Sequence, residues 1–152
     1  MKNILSIGQK ITLDGKIYKA IGIDSYVLTN LYDQKREWRS YTLITDGDEK
    51  IWLGHGIDGD LFLKQWLISE TEFKEKTEKL PLNAEYSGIA HISFEGNQGY
   101  SVPTSEIIWF NFPEEQYDYL IIERFLEADG DKVKLSKPYY HGTKIVKNIA
   151  IE

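Results

Sequence analysis

Apolar residues at Ile11 and Leu13, then at Ile17, Ala20 and Ile21, give two short stretches of strand-like character with Asp14-Gly15 between them. Asp-Gly favours a tight turn because both residues tolerate positive φ, so residues 9–13 and 16–23 read as a hairpin. Gly22 interrupts the second strand, where a bulge or close packing is expected. The dipeptide recurs at Asp46-Gly47, Asp58-Gly59 and Asp129-Gly130, each time between stretches with strand character. Residues 24–36 carry a further strand around 26–31 and a charged turn, Asp33-Gln34-Lys35-Arg36. Residues 37–45 and 49–53 flank the second Asp-Gly, and the third leads into 61–68. Leu61-Phe62-Leu63 and Trp66-Leu67-Ile68 make that last run nearly all apolar, which implies burial on both faces or a short strand pair.

One segment breaks the pattern. Ser69, followed three residues later by Glu72, has capping-box spacing and introduces a helix over 70–79, within a 69–80 stretch that Pro81 terminates. Only Phe73 and Leu80 can dock it, so it is a short surface helix or a charged linker. Beyond it, strands are expected at 86–95, 99–102, 106–112, 117–128, 131–137 and 143–151. Val133 and Leu135 alternate with Lys132 and Lys134, as a strand with one wet face should, whereas Tyr119 to Ile122 do not alternate and suit a central strand. The fold class is therefore all-β and mainly antiparallel, a barrel or sandwich built from hairpins. It forms one domain over 1–152, in which 1–68 and 82–152 are candidate sub-modules joined by 69–81.

Composition narrows the chemistry. A chain of 152 residues can bury a core without staples, and with no cysteine it has no disulfide, thiolate metal site or cysteine nucleophile. That fits a cytoplasmic setting, and the N-terminus lacks the apolar stretch of a signal peptide. Eighteen Lys and Arg against 24 Asp and Glu give a net charge of −6, with the cations scattered. Nucleic acid is thus not an expected partner, and no run is long enough to insert directly into a membrane. Four Trp, ten Tyr and six Phe suit a β-rich core or an aromatic binding face.

Asp-Gly-Asp occurs at 46–48, 58–60 and 129–131 and invites a calcium reading. Calcium needs six to eight oxygens, and a calcium loop of the EF-hand kind needs flanking helices and a bidentate Glu, so these are read as plain hairpin turns with no metal. His55, His91 and His141 show no metal spacing, though they could converge in space with Asp58 or Glu123, and they are read as turn or surface residues. Residues 54–59 spell a Gly-x-Gly-x-x-Gly box, but an Asp-Gly turn follows it where a helix should. No nucleophile elbow exists. Neither a catalytic residue nor a cofactor is expected.

Ile7-Gly8, Gly15, Tyr18 and Gly22, then Glu37-Trp38, Tyr41 and Leu43, and finally Trp52-Leu53 resemble, in order and spacing, the bacterial domain of unknown function family 4178. The likeness is sharpest over residues 5–68, and Gly88, Gly96, Tyr100, Tyr119, Glu123 and 139–142 look like its less regular continuation. The resemblance implies a cytosolic β-rich protein encoded near phage-shock-protein-A-like membrane-stress proteins and small membrane proteins. No catalytic role comes with it. The leading expectation is a non-enzymatic protein-interaction module, an accessory of a bacterial envelope-stress system whose partner is another, membrane-associated protein. Its candidate binding surface or aromatic core is Trp38, Tyr41, Trp52, Trp66, Tyr100 and Trp109. The alternative is a small-molecule or glycan-binding β domain whose pocket is lined by Trp52, Trp66, Tyr100 and Trp109. A large cavity among the aromatics would favour the ligand, and an exposed apolar patch the partner.

Overall fold

The computed structural model describes residues 1–57, 60–78, 83–96, 103–113 and 116–152. The turn at Asp58-Gly59, the strand expected at 99–102 with Tyr100, and the helix end at 79–81 lie outside the described residues. Among the described residues, eleven strands and one helix follow in chain order. They are β1 (Lys10–Leu13), β2 (Lys16–Thr29), β3 (Lys35–Ile44), β4 (Lys50–Ile57), β5 (Leu61–Ile68), α1 (Glu70–Thr77), β6 (Asn83–Gly96), β7 (Thr104–Asn111), β8 (Tyr119–Asp129), β9 (Lys132–Leu135), β10 (Tyr139–Ile145) and β11 (Ile149–Ile151). The all-β, antiparallel expectation holds.

The turns show how the sequence sets the hairpins. Asp14 and Gly15 have φ of 50° and 80°, the two positive values of a type I′ turn. At the β3–β4 turn the left-handed residue is Asp48, with φ 62°, rather than Gly47. Between β8 and β9 the turn residues are Gly130 and Asp131, with glycine first and φ 64°, the type II′ placement. Ser69 caps α1 as expected, its Oγ accepting from the Glu72 amide at 3.1 Å, and Phe73 is the helix residue that is buried.

Eight strands close into a ring in the order β2, β3, β4, β5, β10, β8, β7, β6 and back to β2, every neighbour antiparallel. Residues 1–68 supply four consecutive ring strands and residues 83–152 the other four, so the seams β5–β10 and β2–β6 tie the halves together. β8 sits between β7 and β10, the central place expected for residues 119–122. Gly88 lets β6 approach the end of β2: a Cβ there would lie 2.3 Å from the Thr29 carbonyl oxygen.

Five expectations change. Residues 16–29 form one strand, so no separate strand begins near 26, and Lys35 and Arg36 belong to β3 rather than to a turn. Residues 61–68 form a single strand. The last strand divides into β10 and β11. In β9 both faces are wet, with Val133 69% exposed, because it pairs only with the end of β8 and nothing covers it among the described residues.

A one-residue irregularity decides what faces inward. Up to Ala20, paired with Leu43, β2 turns Tyr18 and Ala20 toward a core outside the ring that also holds Leu5, Ile11, Leu13, Tyr41, Leu43, Ile51 and Leu53. The register then shifts between Ala20 and Gly22, so that Gly22 pairs with Thr42. A slip of one residue exchanges the two faces of a strand, and Asp24, Tyr26 and Leu28 therefore point into the ring. The bulge expected at Gly22 is present.

Candidate functional site

Residues directly paired across antiparallel strands share a face, so the register assigns the interior. Asp24 pairs with Ser40, Tyr26 with Trp38, Thr42 with Trp52, Trp52 with Gln65, and Gln65 with Thr143. Thr143 pairs with Tyr119, His141 with Ile121, Ile121 with Trp109, and Glu123 with Ile107. Trp109 pairs with Tyr86, and Ala90 with Ser105 and Leu28. The interior is thus a belt of aromatic residues around a polar cluster.

The rings touch in series. Tyr26 stacks on Trp38 at 4.9 Å between centroids, Trp38 meets Trp109 edge-on at 6.4 Å, and Trp109 stacks on Tyr86 at 5.4 Å. Such pairs contribute about 0.5–1.5 kcal/mol each beyond area burial. Trp52 meets the His141 ring edge-on at 6.1 Å.

Within this belt Asp24, Glu123 and His141 are 3%, 5% and 4% exposed. Glu123 Oε2 accepts from Ser105 Oγ at 2.9 Å and from Tyr26 OH at 3.4 Å, and its Oε1 lies 3.6 Å from His141 Nε2. Ser105 and His141 are each diagonal to Glu123 across one strand pair, whereas Tyr26 reaches it from the far side of the ring. Burial pushes the Asp24 carboxyl up to about 7, and the neighbouring Glu123 charge adds to the rise. Asp24 Oδ1, both His141 nitrogens, Thr42 Oγ1, Thr143 Oγ1 and Trp109 Nε1 are buried with no hydrogen-bond partner among the described residues. Tyr26, Trp38, Ser40, Gln65, Ile107, Trp109, Ile121, Glu123 and His141 enclose a cavity of about 20 Å³, room for one water-sized species.

Of the histidines, only His141 joins this cluster, and the convergence with Glu123 that catalysis would need does occur. His55 lies on the outer face, stacked on Phe62 at 4.8 Å, and burial lowers its pKa. His91 is exposed on β6. No three His, Asp or Glu side chains group as metal ligands among the described residues.

The candidate aromatics separate. Trp38, Trp52 and Trp109 face the interior, and Tyr41 belongs to the outer core with its hydroxyl accepting from the Ile4 amide at 2.9 Å. Trp66 is half-buried on the outer face, 6.1 Å from Tyr117. The structure thus brings Trp52 and Trp109 to one face and puts Trp66 on the other.

A second feature was not singled out in the sequence. In the β2–β3 turn Asn30 Oδ1 accepts from the Tyr32 and Gln34 amides at 2.9 and 3.0 Å, and the Asn30 amide donates to the Gln34 carbonyl at 3.1 Å. Asp33 supplies the left-handed position, with φ 59°. This scaffold holds Leu31 98% and Tyr32 84% exposed. Leu31 borders a groove of about 470 Å³ with Thr29, Ser87, Ile89, Glu106 and Ile108. The Asn30 and Asp33 turn chemistry was the available signal.

No family model matches the chain, and no curated protein and no solved structure matches it. No helix among the described residues is long and apolar enough to cross a membrane.

Proposed function

We propose that the chain is a non-enzymatic interaction module that receives a short apolar segment of another protein at the Asn30–Gln34 turn and the adjoining groove. The carrying observation is the fixed turn that holds Leu31 and Tyr32 out in solvent. A backbone turn formed before association removes part of the entropic cost that binding would otherwise meet, and aromatic anchors are frequent hot spots. A net charge of −6 and Glu106 in the groove select a partner segment with basic flanks. The family resemblance adds a membrane-associated stress protein as the first partner to try, on the strength of the sequence motif alone. A small-molecule or glycan pocket among the interior aromatics has less support: about 20 Å³ of space there is far below the roughly 300 Å³ at which ligand pockets begin.

The test is affinity for a captured partner. Leu31→Ala with Tyr32→Ala should weaken it by about 30-fold or more, whereas Val133→Ala, an exposed apolar residue on β9, should leave it unchanged. Equal affinity of all three proteins would reject this surface.

A further inference from the structure

Outside the ring, β5, the end of β10 and the link from β10 to β11 border a groove of about 410 Å³, which shares no lining residue with the groove beside Leu31. Lys64 and Lys144 are direct partners across the β5–β10 pair, on the outer face that also carries Trp66, and Lys147 joins them from the link. Like charges opposite one another on paired strands repel, so the register gathers local positive charge at a cost. The acid among the described lining residues is Asp14, at the β1–β2 turn. Glu49 also acts on Lys64, but its carboxylate is paired with Lys16. Three cations therefore meet at one groove of a chain whose net charge is −6.

Hydrogen bonds to the backbone shape this groove. The Val146 amide donates to the Phe62 carbonyl at 2.9 Å, the Ile145 amide to Asp118 Oδ2 at 2.9 Å, and the Asp14 amide to the Asn148 carbonyl at 3.2 Å. Trp66 and Val146, each half-buried, give it an apolar side. Lys64 Nζ lies 5.1 Å from the centre of the Trp66 ring, so charge and ring are adjacent.

We propose that this groove binds a small organic anion, a phosphate monoester carried on a flat apolar ring. Lysine ammonium groups are point charges that suit a dianionic phosphate, and Trp66 with Val146 suits the ring. The Asn148 side chain adds amide donors. The volume falls in the range of small-molecule pockets, which begins at roughly 300 Å³. Inorganic phosphate alone leaves the apolar side unused. A nucleic-acid strand needs a longer cationic track than three lysines on an acidic chain.

The experiment titrates the whole protein at about pH 8, where a phosphate monoester is a dianion, and follows the backbone amide resonances. The probes are phenyl phosphate, inorganic phosphate, benzyl alcohol and hexaglutamate at equal ionic strength. Phenyl phosphate should bind saturably, shift the amides of Lys64, Trp66 and residues 144–148, and bind several-fold more tightly than inorganic phosphate. Benzyl alcohol and hexaglutamate should leave those amides unmoved at the same concentrations. Lys64→Gln with Lys144→Gln should weaken phenyl phosphate by about tenfold or more. Lys132→Gln with Lys134→Gln, which removes as much charge from β9, should leave binding unchanged. Lys147→Gln, at an exposed position outside the strands, should give a smaller loss and serves as the second variant should the first fail to fold. Four results would overturn the proposal: no saturation at tens of millimolar phenyl phosphate, equal binding of inorganic phosphate or hexaglutamate, shifts centred elsewhere, or folded groove variants that bind like wild type.

Discussion

Around Glu123 the chain buries polar groups that have no hydrogen-bond partner among the described residues, whereas at Leu31 and Tyr32 it exposes large apolar side chains to solvent. Both depart from the usual partition of residues, in which polar groups find water and large apolar ones find a core. The physical costs differ. Burying an acid and unpartnered polar atoms lowers the stability of the fold itself, while an exposed leucine costs the folded chain almost nothing. A feature of the first kind is sustained by what surrounds it, here the closed ring and its aromatic belt. A feature of the second kind is sustained by a local scaffold, here the Asn30 hydrogen bonds. The interior is therefore where the stability of this protein is decided, and the turn is where it is free to vary.

The largest test of that contrast is Trp109→Ala. Trp109 touches Trp38, Tyr86 and Tyr119, so its removal takes out the centre of the aromatic belt and leaves a cavity beside the acid cluster. We expect a loss of about 3–5 kcal/mol in denaturant unfolding. A loss below about 1 kcal/mol would mean that the belt does not carry the fold.

Asp24→Asn comes next, and its sign depends on pH. The Asp24 carboxyl is raised from 3.8 to about 7, chiefly by burial. The folded protein therefore keeps a proton that the unfolded chain has already released. The associated stability is fully present below 3.8, falls as pH rises, and is gone above about 7. Between those limits wild type should lose about 1.4 kcal/mol per pH unit relative to Asp24→Asn, because asparagine does not titrate. Urea unfolding of both proteins at about pH 5 and about pH 7 measures the difference directly. Parallel slopes would show that Asp24 is already ionised in the fold.

How far the sequence reveals these two regions depends on the range of the interactions that make them. Asp14-Gly15 is a local device, and its type I′ turn is legible from two residues. The β2–β3 turn is nearly as local, yet Leu31 reads as the end of an apolar strand until Asn30 is seen to take up the Tyr32 and Gln34 amides. Gly22 signals a bulge but not its consequence, the exchange of faces that points Asp24 inward. The meeting of Glu123 with His141 depends on the β8–β10 register, and the meeting of Asp24 with Glu123 on closure of the whole ring. No spacing in the chain encodes such contacts. The tryptophans illustrate the same limit, since Trp52 and Trp66 are near in sequence and their parity on paired strands places them on opposite faces.

The smallest expected effect is the most discriminating for the turn. Leu31→Ala with Tyr32→Ala removes two large apolar side chains, and in a core such a change would cost several kcal/mol. Here Leu31 and Tyr32 lie in solvent, and the hydrogen bonds that shape the turn come from the Asn30 side chain and from the backbone, none of which the substitutions alter. Stability should therefore change by less than about 0.5 kcal/mol, with the denaturant slope unchanged. A variant that keeps its stability but loses its partner assigns these side chains to recognition. A loss of about 2 kcal/mol in unfolding would instead mean that they pack onto the ring in solution, and the division between a self-sufficient interior and a free outer anchor would fail.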